Sequence, residues 1–214
     1  MGANARILDL RKLLAERFPQ LEHAASDAFP TGQELIDQSL GGGLRKGAIT
    51  EITSPVQSAG SASLIADLVE AAADSGYFIA LIDGRDSFDP APLDRAVLGH
   101  LLWVRCADAV EAFKAADLLL RDGNFPVVLL DLVLNSPNEF RRIQSTSWYR
   151  LQRLTETSST ALLVFSRRSL VASAHLKVTL LNNWNLQTFE QENALSCLHL
   201  EITRSHFAAQ AKAG

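Results

Sequence analysis

The sequence has little cysteine, no apolar run of membrane length, and no lysine where a phosphate-binding loop would need one. Its two cysteines, Cys106 in "LLWVRC" and Cys197 in "ALSCLHL", make no disulfide or metal framework. Both lie in strand-like runs, where a free thiol behaves as a small hydrophobe. His23, His100 and His175 stand without metal-ligand spacing, so neither a metal nor any other cofactor is expected. No apolar stretch approaches the roughly 20 residues that cross a bilayer. The opening "MGANARILDLRKLL" places Asp9 where a secretory signal needs an apolar core. A cytoplasmic address with no membrane partner is expected. The missing lysine is more informative. Between the strand-like "AITEIT" and a helix opening near Ser61 lies "SPVQSAG", and a loop that cradles phosphate reads G-x-x-x-x-G-K-[ST] in that setting. Ser54 stands for the first glycine, Gly60 for the second, and Ser61 for the lysine.

What is present is ordinary globular composition: 214 residues, 47% apolar and 21% charged, enough for one sizeable α/β domain and tight for two. Residues 5–18, "ARILDLRKLLAERF", put Ile7, Leu10, Leu14 and Phe18 at spacings of three and four, which predicts an amphipathic helix ended by Pro19. A polar linker follows, so residues 1–28 read as helix plus linker. From Ala48 strands and helices alternate: "AITEIT", a helix from about Ser61 to Ser75, "YFIALID", a short helix after Pro90, "LLWVRC", a helix from about Asp108 to Arg121, and "PVVLLD". A long helix from about Pro137 to Glu156, then "ALLVFS", "LKVTLLNNW" and "LSCLHLEITRS" complete the pattern. Near-continuous apolar strands separated by helices predict a mostly parallel sheet covered on both faces, closed by an antiparallel C-terminal hairpin. Residues 208–214, "AAQAKAG", have nothing to bury and read as a frayed tail.

The formal net charge of −4 argues against a surface built wholly for nucleic acid. From Asn138 to Arg168, however, Arg141, Arg142, Arg150, Arg153, Arg167 and Arg168 face only Glu139 and Glu156, a local excess of +4. Trp148 and Tyr149 lie among these arginines, readable either as stacking platforms for bases or, for Trp148, as a core contact.

Taken in order, "FPTGQELIDQSLGGGLRKGAITEIT", the loop, "LIDGRDSFDP", "PVVLLD" and "LHLEITRSH" resemble the RecA recombinase core over about residues 29–207. The shortness of the chain looks most like the ImuA (SulA-like) branch of that superfamily. The resemblance implies a RecA-like αβα core in the DNA-damage response, with partners among RecA, ImuB-type proteins and DnaE-type polymerases in translesion synthesis. It also implies that Asp131, ending "PVVLLD", is the carboxylate that would hold Mg²⁺ in an ATP site. Against it, Ser61 replaces the phosphate lysine, Ala62 replaces the Mg²⁺-ligating hydroxyl, and the loop is one residue too long. Arg85 stands where the family places its water-activating glutamate, and an arginine has no lone pair to act as base. Arg168 replaces the glutamine that senses γ-phosphate. Arg45 and Lys46 precede a strand about 20 Å long and so belong to the opposite sheet edge.

A partner-binding module that has lost ATP turnover is therefore expected, with Ile7, Leu10, Leu14, Phe18, Arg204 and His206 as candidate interface residues and self-association among its uses. Two other readings stay open. One is an atypical ATPase using Arg85, Arg168, Arg204 or His206 as phosphate ligands, since Arg204 and His206 match the strand that carries the family's ATP-capping lysines. The other is a module that binds single-stranded DNA weakly through the six arginines, which fall near the family's two DNA-binding loops.

Overall fold

From Ile49 to Ser166 the chain repeats one device, an apolar strand with two faces to cover followed by a helix that covers one of them. The structure, a computed structural model, describes residues 12–14, 16–17, 27–56, 59–184 and 198–205. Two short strands, β1 (Ala28–Phe29) and β2 (Leu44–Arg45), pair antiparallel around α1 (Glu34–Ser39). The chain then runs through β3 (Ile49–Thr53), α2 (Ser61–Asp74), β4 (Ile79–Asp83), α3 (Arg95–Leu98), β5 (Leu101–Arg105), α4 (Ala109–Asp122) and β6 (Val127–Asp131). It continues through α5 (Pro137–Phe140), α6 (Ser145–Ser158), β7 (Ala161–Ser166), β8 (Leu176–Leu180) and β9 (Leu200–Ser205). Seven strands form one sheet in the order β5-β4-β6-β7-β3-β8-β9. Every pairing is parallel except that of β8 with β9. The expected α/β class, mostly parallel sheet and antiparallel C-terminal pair are all present.

Period-two geometry divides the strand residues between two cores. Ala80, Ile82, Val128, Leu130, Leu162 and Val164 meet α4 and α6, while Ile79, Leu81, Val127, Leu129, Leu163 and Phe165 meet α2. Double-sided burial is why these strands read as unbroken apolar runs instead of alternating ones. Helix α2 supplies Leu64, Ile65, Leu68, Val69 and Ala72 at helical spacing. It ends at Gly76, whose φ of 72° lets the chain turn back into β4. Leu81 and Leu130 are fully buried, so shortening either to alanine would cost about 2–5 kcal/mol.

One charged group interrupts β3. Glu51 is buried, accepts the Leu170 and Val171 N–H groups and the Ser169 hydroxyl, and pairs with Lys177 Nζ at 2.9 Å. A buried charge is tolerated when paired and fully hydrogen-bonded, and here it fixes the turn between β7 and β8.

The helix expected from Pro137 to Glu156 is two helices. Gln144 is extended, with ψ of 144°, and Ser145, Thr146 and Ser147 follow it, residues that favour helix starts over helix interiors. Leu14 is 7% exposed and packs in the same core as α4 and α6. Ile7, Leu10 and Phe18 lie outside the described residues. Among the described residues no helix is long and apolar enough to cross a membrane.

Candidate binding cleft at the carboxyl edge of the sheet

Strands β4 and β6 are neighbours, but the chain leaves them toward opposite faces of the sheet. Val97 and Leu98 of α3 pack on the α2 side, whereas Phe140 and Ile143 pack on the α4 side. Such a divergence opens a crevice beyond the carboxyl ends of the strands, the usual ligand position in open α/β sheets. Here it is a cleft of about 560 Å³ between the first turns of α2, the 87–93 loop and the end of β6. Ser61, Ala62, Asp131 and Arg167 all line it, so the fold gathers residues from three segments that are far apart in sequence.

The start of the loop is held away from the cleft. Ser54 is buried, its N–H donates to the Ser166 carbonyl at 2.7 Å, and its hydroxyl finds no partner among the described residues. Gly60 caps α2 in the left-handed conformation, φ 96°. A Cβ there would lie 2.9 Å from Leu198 Cδ1 and 3.0 Å from Trp184 Cη2.

Two aspartates stand in register at the strand ends, Asp83 on β4 and Asp131 on β6, and their surroundings differ. Asp83 is fully buried and accepts five hydrogen bonds. Four come from its own loop, the N–H groups of Arg85, Ser87 and Phe88 and the Ser87 hydroxyl, and the fifth from the Trp103 indole at 3.3 Å. It is a structural clamp on "GRDSFDP". Asp131 accepts the Val133 N–H at 3.0 Å and faces the cleft. Burial, helped by the negative charge of Asp83, pushes its pKa up to about 6 against that one hydrogen bond.

Arg85 is turned to the other side. Its guanidinium donates to the Ala107 carbonyl at 3.0 Å and lies 3.6 Å from Glu139 Oε1. Asp86, in the left-handed region at φ 55°, points outward and pairs with Arg105, Nη2 to Oδ2 being 2.6 Å. Glu139 is a hub that the sequence reading passed over. It accepts the Ala109 N–H at 2.9 Å, the Asn135 amide at 2.7 Å, the Ser136 N–H at 3.0 Å and the Ser136 hydroxyl at 2.9 Å. Partial burial opposes the charge, but these donors outweigh it and hold the pKa down at about 2. Asn135 also donates to the Gly84 carbonyl at 2.9 Å, so one carboxylate ties together the loops after β4, β5 and β6. The signal was in the sequence: Ser136-Pro137-Asn138-Glu139 is a capping box with proline at the first helical position.

The cleft also holds acids that the sequence reading did not single out. Asp67 and Glu70 sit one turn apart on α2, and Asp89 lies in the opposing loop. With Asp131 they make four carboxylates against the single guanidinium of Arg167. Burial raises the Asp67 pKa, its hydrogen bond from Gln33 opposes that, and Glu70 raises it further. Val56 and Leu134, 45% and 53% exposed, also line the cleft.

The six arginines are exposed but not gathered. Arg167 lines the cleft, and Arg168 lies over the Phe140 ring at 5.9 Å, just ahead of Arg141. Arg142 and Arg150 line a separate groove of about 450 Å³ between α4 and α6, where Arg150 pairs with Asp117 at 2.7 Å. Arg153 is on α6. Trp148 stands edge-to-face on Phe113 at 4.5 Å and packs against the core, the second of its two readings, whereas Tyr149 is 56% exposed. Arg45 and Lys46 precede β3, at the opposite sheet edge, where Lys46 Nζ lies 4.7 Å from the Phe29 ring. The Arg204 backbone stands opposite that of Lys177 in the register of β9 with β8, and His206 lies outside the described residues.

No protein-family model matches the chain. It is similar to the RecA proteins of Methylococcus capsulatus and Bifidobacterium breve, 34% identical to each over 110 residues, and to that of Xylella fastidiosa, 31% identical over 112 residues. The match covers 50–51% of this chain and 28–32% of theirs, so the shared stretch spans about a third of the length of the RecA proteins it matches. Sequence similarity over half the chain and a mostly parallel sheet with flanking helices together support a place for this protein in the RecA-like superfamily.

Proposed function

We propose that this protein is an accessory module of the DNA-damage response, of the ImuA kind, that works by binding partners and does not turn over ATP. RecA and the ImuB-type and DnaE-type components of a translesion polymerase complex are the partners this reading names. One observation carries it: where a phosphate clamp would stand, the cleft presents Ser61 and Ala62 together with four carboxylates. A nucleoside triphosphate brings about four negative charges of its own. Without the lysine, one charged hydrogen bond worth about 1.5–3 kcal/mol is gone, and the surrounding acids add repulsion. The residue in the place of the water-activating base, Arg85, is committed to Ala107 and Glu139. Only Asp131 of the catalytic set is retained.

The test pairs turnover with association. The purified chain should release no phosphate from Mg²⁺-ATP above background, with or without single-stranded DNA, and should co-elute with RecA or with a reconstituted translesion complex. Mg²⁺-dependent phosphate release that disappears in Asp131→Ala would return the protein to the ATPases.

A further inference from the structure

We infer that the cleft between α2 and the 87–93 loop binds a protein segment presenting a lysine or arginine flanked by apolar side chains, in the space that a nucleotide would occupy in an active relative. The inference rests on the reading that nucleotide chemistry has been lost, and goes beyond it by naming what the cleft takes instead. Charge is the first argument. Four carboxylates face one guanidinium, a lining of −3 when all are ionised. The partial positive charge at the start of α2, roughly half an elementary charge, leaves most of that unbalanced. Asp131 ends a strand, is partly buried, and its carboxylate accepts only the Val133 N–H among the hydrogen bonds of the described residues. A cation entering the cleft would supply the donors it lacks.

Shape is the second argument. At about 560 Å³ the cleft falls within the range of pockets that enclose ligands, about 300–1,000 Å³. Its wall is largely apolar, with Ile65, Phe88, Leu93 and Val133 beside the acids. Val56 and Leu134 leave large side chains in water beside them. A free polyamine would satisfy the charge and leave those two side chains wet. A peptide with leucine-like neighbours around its cation covers them, which commits the occupant to a protein.

The experiment follows backbone amide shifts of the ¹⁵N-labelled full chain. The probes are N-acetyl-Leu-Lys-Leu-amide, its Glu counterpart, putrescine and Mg²⁺-ATP, read at Ser61–Ser63 and Val133–Leu134. The lysine peptide should move these amides saturably, the glutamate peptide at least about tenfold more weakly, and Asp131→Asn should weaken the lysine peptide by about tenfold or more. Leu134→Ser should weaken the peptide and leave putrescine unchanged. Putrescine binding as tightly as the peptide would overturn the protein occupant in favour of a small cation. No peptide response, with ATP also silent, would overturn this inference and leave the loss of nucleotide chemistry standing. Saturable binding of Mg²⁺-ATP at these amides would overturn both.

Discussion

Two carboxylates eight positions apart, Asp131 and Glu139, sit at the same edge of the same sheet in opposite electrostatic circumstances. Glu139 receives four hydrogen bonds, from the loops after β5 and β6, and its pKa falls to about 2; Asp131 receives one, and its pKa rises to about 6. The first belongs to the framework: its charge is used up internally, and nothing is left for a ligand. The second holds a charge that folding has made unfavourable and has not satisfied. A group left in that state is a candidate for function, because the missing stabilisation can be supplied from outside. Counting acids in the sequence cannot separate the two; counting the donors aimed at each one does.

The largest effect expected from this contrast is at Glu139. Replacement by alanine removes the capping box of α5, takes away one of the two acceptors of the Asn135 amide and orphans the Ala109 N–H, which should destabilise the protein by about 3 kcal/mol at pH 7. The pH dependence has a fixed sign. With the folded pKa lowered from 4.5 to about 2, the stabilisation is full above about pH 4.5 and is lost as pH falls toward 2. Urea unfolding at pH 7 and at pH 3 checks it, and an equal deficit at both would show that the lost interactions are not those of the carboxylate.

Asp131 should behave in reverse. Its folded pKa is raised from 3.8 to about 6, so between those values the native state holds a proton that the unfolded chain releases, and stability falls as pH rises through that window. Above it the ionised group weakens the fold by roughly 3 kcal/mol. Asp131→Asn should therefore be more stable than the wild type at pH 7.5, by about 1–3 kcal/mol, with the advantage shrinking toward zero below pH 4. A destabilised asparagine variant at pH 7.5 would mean that the carboxylate is satisfied after all.

Arg85 should matter least. Its contact with Glu139 is 3.6 Å and its side chain is 44% exposed, so Arg85→Ala should change stability by less than about 1 kcal/mol. Were it to match Glu139→Ala, the arginine and not the loop donors would be the main partner of the hub.

The parallel sheet was readable because buried strands have no polar alternation to disguise them, and the run "PVVLLD" placed Asp131 at a strand end without ambiguity. The start of α2 was readable for a similar reason, since Gly60 interrupts the chain just before a helical apolar stripe. The cleft's other acids were not. Asp67 and Glu70 look like ordinary solvent positions on a helix, and only the placing of α2 opposite the loop after β4 brings them into the same cleft as Asp131. Glu139 was hidden differently: it lies in an arginine-rich segment, where charge balance drew attention away from the capping box around it. The break at Gln144 was missed because Trp148, Leu151 and Leu154 continue the apolar spacing of the preceding residues, and periodicity cannot register one extended residue between two helical phases.

Gly60 holds a position that phosphate-loop patterns require, and its backbone supplies a reason for glycine with no phosphate involved. Its φ of 96° and the crowding of Trp184 and Leu198 against the missing side chain would exclude any other residue from an empty loop as firmly as from an occupied one. The glycine can therefore outlast the chemistry that its motif advertises. A glycine held by its own backbone and packing is therefore no argument, taken alone, for a bound phosphate.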